Sequence, residues 1–256
     1  MSCEIIRNYY APMCGDWDKE DAKVSSHAIL YRSCNFACSF CSYKYLNNVG
    51  YLDLNDDEFI LIVHELLRYG NKFKFSGGEP TIYKELPRHI TIVKEMGGYV
   101  FLDTNGSRPN VISQLLENQL VDVIGISLKG LSVEDAMKRS NILNAQLCWG
   151  KVLRSIELAS SYPNVRVIIT YVFYNNAGFA ELERFSKIIS CYPNVYLKIN
   201  NLHYKIHNSS NLKPIDSQAF CKMAHSFVDF HPEWKGRMIV VDSQEAISDY
   251  EKIIFL

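Results

Sequence analysis

Six short apolar runs alternate with amphipathic stretches along most of the chain. The runs are His27–Arg32, Lys72–Phe75, Tyr99–Asp103, Val121–Leu128, Val165–Phe173 and Val195–Ile199. They are rich in Ile, Val, Phe and Tyr and short, as buried parallel strands tend to be. Helical periodicity lies between them. From Asp56 to Tyr69 the residues Phe59, Ile62, Val63, Leu66 and Leu67 follow i, i+3, i+4 spacing. Asn55 is placed to cap that helix, Glu58 to reach back from its third position, and Gly70 to follow its end. Pro109 predicts the first turn of a second helix bearing Ile112, Leu115 and Leu116. Further helices are predicted over Leu147–Ser161 and Ala177–Ser190. Strand–helix alternation of this kind predicts parallel strands with right-handed crossovers. Six units fall short of a closed eight-unit barrel, so the predicted fold is α/β, a partial (β/α)6 barrel. After Pro214 the pattern changes to a helix around Asp216–Phe230, a strand at Arg237–Val241 and a terminal helix. The chain therefore divides into an N-terminal extension (1–26), the barrel (27–213) and a C-terminal helix–strand–helix extension packed on it as a lid (214–256).

Composition narrows the class. The 256 residues are 48% hydrophobic and 21% charged, with a formal net charge of −1. That is ordinary globular usage and gives no reason to expect a nucleic-acid or membrane-surface partner. Runs such as Val165–Val172 are far too short to span a bilayer. The opening MSCEIIRNYY lacks the apolar core of a signal peptide, so a soluble cytoplasmic protein is expected. In a reducing compartment the eight cysteines read as metal ligands, catalytic groups or small hydrophobes rather than disulfides.

Three of them are close in sequence. Cys34, Cys38 and Cys41 directly follow the first strand, in the loop where α/β barrels place their active sites. A four-iron cluster normally takes four cysteines. Three local thiolates would leave one iron open, and an open position marks a catalytic rather than a structural metal site. Zinc is the competing reading. It prefers four ligands in paired two-residue gaps, whereas the gaps here are three and two, the nearest upstream cysteine is Cys14, and His27 is the available fourth ligand. The second strand runs into Phe75-Ser-Gly-Gly-Glu-Pro80. Two glycines let backbone pass close to a ligand and a carboxylate can accept bonds from an ammonium group; a plain strand–helix turn with Pro80 at a helix start is the alternative. The third and fourth strands end in Asp103-Thr104-Asn105-Gly106 and Ser127-Leu128-Lys129. Polar tips of this kind suit ligand hydroxyls and carboxylates, although Asn105-Gly106 also reads as a turn and Lys129 as a solvated charge.

Cys-x3-Cys-x2-Cys with the aromatic Phe40 before the last cysteine resembles the radical S-adenosylmethionine (SAM) superfamily signature. The resemblance implies a 4Fe–4S cluster on Cys34, Cys38 and Cys41, with SAM bound through its amino and carboxylate groups to the open iron. It further implies electron transfer that cleaves SAM to methionine and a 5′-deoxyadenosyl radical. Gly77, Gly78 and Glu79 resemble the family's Gly-Gly-Glu-Pro motif, which holds the SAM amino group. Asp103–Gly106, Ser127–Lys129 and His203 are more specifically similar to the activating enzymes of glycyl radical enzymes. That similarity implies that Thr104, Asn105, Ser127, Lys129 and His203 hold SAM, with a reducing partner such as flavodoxin or ferredoxin and a protein or peptide as substrate. Two positions depart from the activases: Ser127 stands where they carry an aspartate beside a monovalent-cation site, and Gly15-Asp16-Trp17-Asp18 does not match their Asp-Gly-Pro-Gly stretch. A radical SAM enzyme acting on a small molecule or nucleoside is the alternative, and a non-catalytic iron–sulfur or zinc module is the alternative of another class. Cys3, Cys14, Cys148, Cys191 and Cys221 are scattered and read as buried or incidental, with Cys3 and Cys14 able to approach the cluster mouth.

Overall fold

The apolar runs become strands of one sheet. The computed structural model describes residues 2–10, 25–43, 52–142, 144–203, 206, 211–242 and 252–255. Its strands are β1 (Ser2–Tyr10), β2 (Ser25–Tyr31), β3 (Leu52–Asp53), β4 (Lys72–Gly77), β5 (Tyr99–Thr104), β6 (Val123–Ser127), β7 (Arg166–Phe173), β8 (Val195–Asn201), β9 (Met238–Asp242) and β10 (Lys252–Phe255). They pair in the order β10-β9-β8-β7-β6-β5-β4-β2-β1-β3. The seven central strands, β2 and β4 through β9, are parallel. The helices are α1 (Asp56–Leu67), α2 (Leu86–Glu95), α3 (Pro109–Glu117), α4 (Val133–Ser140), α5 (Ala145–Ser160), α6 (Phe179–Ile189) and α7 (Ser217–Phe230). The capping box at α1 forms as its sequence requires: the Glu58 N–H donates to Asn55 Oδ1 at 3.0 Å and the Asn55 N–H to Glu58 Oε2 at 2.9 Å.

The ends of the chain differ from the sequence expectation. Residues 238–242 do not belong to a separate lid: Leu197 pairs with Met238 and Ile199 with Val240, so β9 extends the parallel sheet to a seventh strand. All five β9 residues are buried, as an apolar strand flanked on both sides should be. The expected terminal helix falls largely on 243–251, outside the described residues, and Lys252–Phe255 pairs antiparallel with β9. Four residues rich in β-branched Ile suit a strand and are too few for a helix. At the other end β1 pairs antiparallel with β2. Cys14 and residues 15–18 lie outside the described residues, as does the Cys3 side chain.

Alternation along the strands sorts their residues into two faces. Ile29, Tyr31, Phe73, Phe75, Leu102, Ile124, Ile126, Val167, Ile169, Leu197, Ile199 and Val240 join the helices in the main core. Each large side chain fully buried there contributes about 1.5–3 kcal/mol. The opposite, concave face carries a second apolar cluster of Phe101, Val123, Ile168, Ile239 and Val241. A third cluster, Cys38, Phe40, Leu202 and Ile206, lies near the cysteine loop. Between these two clusters the inward positions are polar, and there the strands enclose a cavity.

Candidate active site

The cysteine loop is fixed by α4, a helix the sequence reading passed over. The Ala37 N–H donates to the Ser140 carbonyl at 3.0 Å and the Ser39 N–H to the Arg139 carbonyl at 3.1 Å. These are last-turn carbonyls that a helix leaves without partners of its own. The Arg139 side chain is buried and lies 5.1 Å from the Phe40 ring, 4.3 Å from Tyr171 and 4.4 Å from Tyr174. It donates to the Tyr171 hydroxyl and the Val172 carbonyl and pairs with Glu181 at 3.4 Å. A paired, stacked guanidinium thus braces the aromatic residue next to Cys41.

The glycine tip of β4 closes on the same loop. The Gly78 N–H donates to the Tyr31 carbonyl at 2.6 Å and the Glu79 N–H to the Ser33 carbonyl at 2.8 Å. A Cβ on Gly77, whose φ is +99°, would lie 2.5 Å from the Tyr31 oxygen, and one on Gly78 would lie 2.2 Å from the Ser33 oxygen. Both positions therefore exclude any side chain.

Glu79 sits behind the wall, 0% exposed. Its Oε1 accepts from the Thr81 N–H (3.1 Å), the Thr81 hydroxyl and the Thr104 hydroxyl (2.6 Å), and its Oε2 from the Asn105 N–H (2.6 Å). Burial pushes its carboxyl above the usual range, against those four bonds that favour the charged form. Through Thr104 and Asn105 it fixes the tip of β5. Asn105 in turn donates to Asn35 at 2.8 Å and stands 3.8 Å from Cys34 Sγ.

Cys34, Cys38, Phe40, Cys41, Gly77, Gly78, Thr104, Asn105, Ser127, Lys129 and His203 all line one cavity. Of the predicted site residues, Glu79 alone is not on its wall. The empty space of the cavity, its open mouth included, is about 1310 Å³. Cys34 is exposed at the mouth, yet enough protein surrounds it that desolvation pushes its thiol up to about 11. Desolvation raises Cys38 as well. Metal binding would displace those protons. Among the described residues no three His, Cys, Asp or Glu side chains converge on one ion. A cluster taking one thiolate per iron asks for wider spacing. The other described cysteines do not line the cavity. Cys191 is exposed, and Cys148 and Cys221 are partly exposed rather than buried.

The sequence reading missed the polar layer below. Lys74, Ser76, Thr170, Lys198 and Asn200 also line the cavity, with Asp103 among them. Lys74 Nζ lies 3.3 Å from Asp103 Oδ2, and the Ser76 hydroxyl donates to the same oxygen at 3.1 Å. Burial alone would raise the Asp103 carboxyl, but Lys74, then Lys198 and Lys129, hold it below its usual range. The signal was available: a lysine or asparagine at every second position of LysPheLysPhe and LeuLysIleAsn is out of place in strands covered on both faces.

The radical SAM superfamily profile matches residues 28–187, from β2 into α6. The chain belongs to the radical SAM superfamily. Members of that superfamily use a 4Fe–4S cluster and SAM. The radical SAM chain is 32% identical over 115 residues to a Methanocaldococcus jannaschii protein named as a glycyl-radical enzyme activating enzyme, covering 42% of this chain and 44% of that one. It is 28% identical over 155 residues to a Saccharolobus solfataricus protein named as a GTP 3′,8-cyclase, covering 60% and 47%. A solved structure of anSMEcpe with bound AdoMet superposes with a TM-score of 0.60 at 23% identity, over 77% of this chain and 57% of that one. The radical SAM chain thus spans about half the length of these relatives. The donor set fits the superfamily's cluster: three thiols on one braced loop, with no fourth cysteine among the described wall residues. No helix among the described residues is long and apolar enough to cross a membrane.

Proposed function

We propose that Cys34, Cys38 and Cys41 hold a four-iron cluster, that the tips of β4, β5 and β6 hold SAM beside it, and that a hydrogen atom is abstracted from a substrate seated in the polar layer below. The observation that carries this reading is one cavity lined by the three thiols, the glycine tip and that layer. The cluster, when bound, supplies the electron that cleaves SAM to methionine and a 5′-deoxyadenosyl radical. This chain's residues do the rest. Gly77 and Gly78 bring backbone to the wall without side chains in the way. Thr104 and Asn105, fixed by Glu79, present a rigid polar tip, and Lys129 offers a cation for the SAM carboxylate. The apolar floor of Phe101 and Ile168 closes the cavity and keeps water from a reactive carbon radical.

The resemblance to activating enzymes supports a protein or peptide as the hydrogen donor, and the cyclase relative supports a small molecule. Anaerobic protein reconstituted with iron and sulfide, given dithionite and SAM, should release 5′-deoxyadenosine and methionine in equal amounts. An intact cluster without 5′-deoxyadenosine above a protein-free blank would overturn the proposal. A glycyl radical signal in an added partner protein would favour the activase arm.

A further inference from the structure

Arg139 joins the cysteine loop, the sheet and Lys129. Its guanidinium is enclosed by three rings, with centroids 4.3 Å away at Tyr171, 4.4 Å at Tyr174 and 5.1 Å at Phe40. The Phe40 ring also packs on Tyr174, with 5.7 Å between centroids, and the Lys129 ammonium lies 5.7 Å from the centre of that same Phe40 ring. One aromatic side chain therefore sits within cation–π reach of two cations. One is Arg139, and the other is the cation offered to the SAM carboxylate. The main chain repeats the connection. The Arg139 and Ser140 carbonyls accept from the Ser39 and Ala37 N–H groups, which flank Cys38 on both sides.

Stability alone does not account for this residue. Arg139 is buried, and its Nε–H has no acceptor among the described residues, although buried polar groups are nearly always paired. A buried ion pair such as Arg139–Glu181 is a weak stabiliser beside apolar side chains of the same volume. A planar guanidinium does what those side chains cannot. It stacks on several rings at once and points its donors in fixed directions. Here the donors go to the Tyr171 hydroxyl and the Val172 carbonyl on β7, so the position of the Phe40 ring is tied to the sheet.

We infer that Arg139 is a positioning residue for both cofactors. Through Phe40 it sets the loop that presents Cys38 and Cys41 to the cluster, and through the same ring it sets Lys129 against the SAM carboxylate. This rests on the radical SAM reading of the cavity and names the side chain that keeps the two cofactor sites in register.

The test uses the full chain loaded with iron and sulfide without oxygen. Two quantities are read: the rate at which a ferrous-iron chelator strips the cluster, and SAM affinity by equilibrium dialysis. Groups that orient metal ligands from behind are worth about 10- to 100-fold in metal affinity. Arg139→Lys keeps the charge but loses the planar stack, so it should release iron about 10- to 100-fold faster than the parent. Its SAM affinity should fall by about 2- to 5-fold, the worth of one cation–π contact. Phe40→Leu should do the same, and the combined variant should be no worse than the worse single one, because Arg139 acts through that ring. Glu181→Gln keeps the three rings and both β7 acceptors, so it should match the parent in both readouts however far its melting temperature falls. If Arg139→Lys does not fold, Arg139→Met with Glu181→Gln, which removes both charges of the pair, replaces it. Parent-like iron release from Arg139→Lys, additive losses in the combined variant, or iron release that follows the melting temperature of the cluster-free protein across all variants overturns the inference. A parent that takes up no cluster overturns the radical reading with it. A parent that loads and releases 5′-deoxyadenosine, beside an Arg139→Lys that matches it, overturns the positioning role alone.

Discussion

Replacing Glu79 with glutamine separates two roles for the Gly-Gly-Glu-Pro carboxylate. The structure buries it completely and surrounds it with four donors, three on Oε1 and one on Oε2. Glutamine keeps a carbonyl oxygen for the Thr81 and Thr104 donors, but its amide nitrogen must then face the Asn105 N–H, donor against donor. The lost charge-assisted bond, with a buried N–H left without an acceptor, costs about 1.5–3 kcal/mol. For a chain of this size that lowers the melting temperature by roughly 3–12 °C. Glu79→Gln should therefore melt lower without cofactors present, and its SAM affinity should fall by less than about tenfold, equivalent to about 1.4 kcal/mol. The assay is thermal unfolding of the cluster-free protein beside equilibrium dialysis of SAM with the cluster-loaded one. An unchanged melting temperature with a 10- to 150-fold loss of SAM affinity would refute the reasoning and make Glu79 a direct ligand of the SAM ammonium.

Two further outcomes are expected. Cys148→Ala, Cys191→Ala and Cys221→Ala should keep the parent's iron content and 5′-deoxyadenosine yield, because none of the three lines the cavity. Loss of about half the iron in all three would demand a second Cys-ligated cluster. Burial holds the His89 imidazole down to about 4, below its ordinary value of about 6.5, with Nδ1 2.9 Å from the Tyr31 hydroxyl. The unfolded chain takes up that proton first, so the His89 contribution is intact above about pH 6.5 and is lost as pH falls toward 4, on the order of 3 kcal/mol in all. Urea unfolding at pH 7 and pH 4.5 should show a smaller acid loss for His89→Gln than for the parent; equal losses would contradict the assignment.

The cysteine loop, the glycine tip and the polar ends of β5 and β6 were legible because each is a local pattern at the end of an apolar run. Six of the seven parallel strands, β2 and β4 through β8, were legible for the same reason. What escaped the reading depends on distant partners. α4 is short, and its purpose shows only when its Arg139 and Ser140 carbonyls meet the cysteine loop. β9 reads as an isolated strand until it pairs with β8, and β10 takes its meaning from β9. Lys74 and Lys198 sit 124 residues apart in strands whose apolar neighbours dominated the pattern, and only the folded sheet brings both to bear on Asp103. Glu79 shows the opposite case: its motif was plain, yet its side chain turns into the wall.

The decisive property of the chain is what its three loop thiols hold. Protein purified without oxygen should carry about four irons and matching sulfide per chain, as one Cys-ligated cubane requires, and should form 5′-deoxyadenosine from SAM with dithionite. In the same measurement Cys38→Ala should lose both the iron and the product. One tightly bound zinc without sulfide in the parent, or product at the parent rate from Cys38→Ala, would contradict the account.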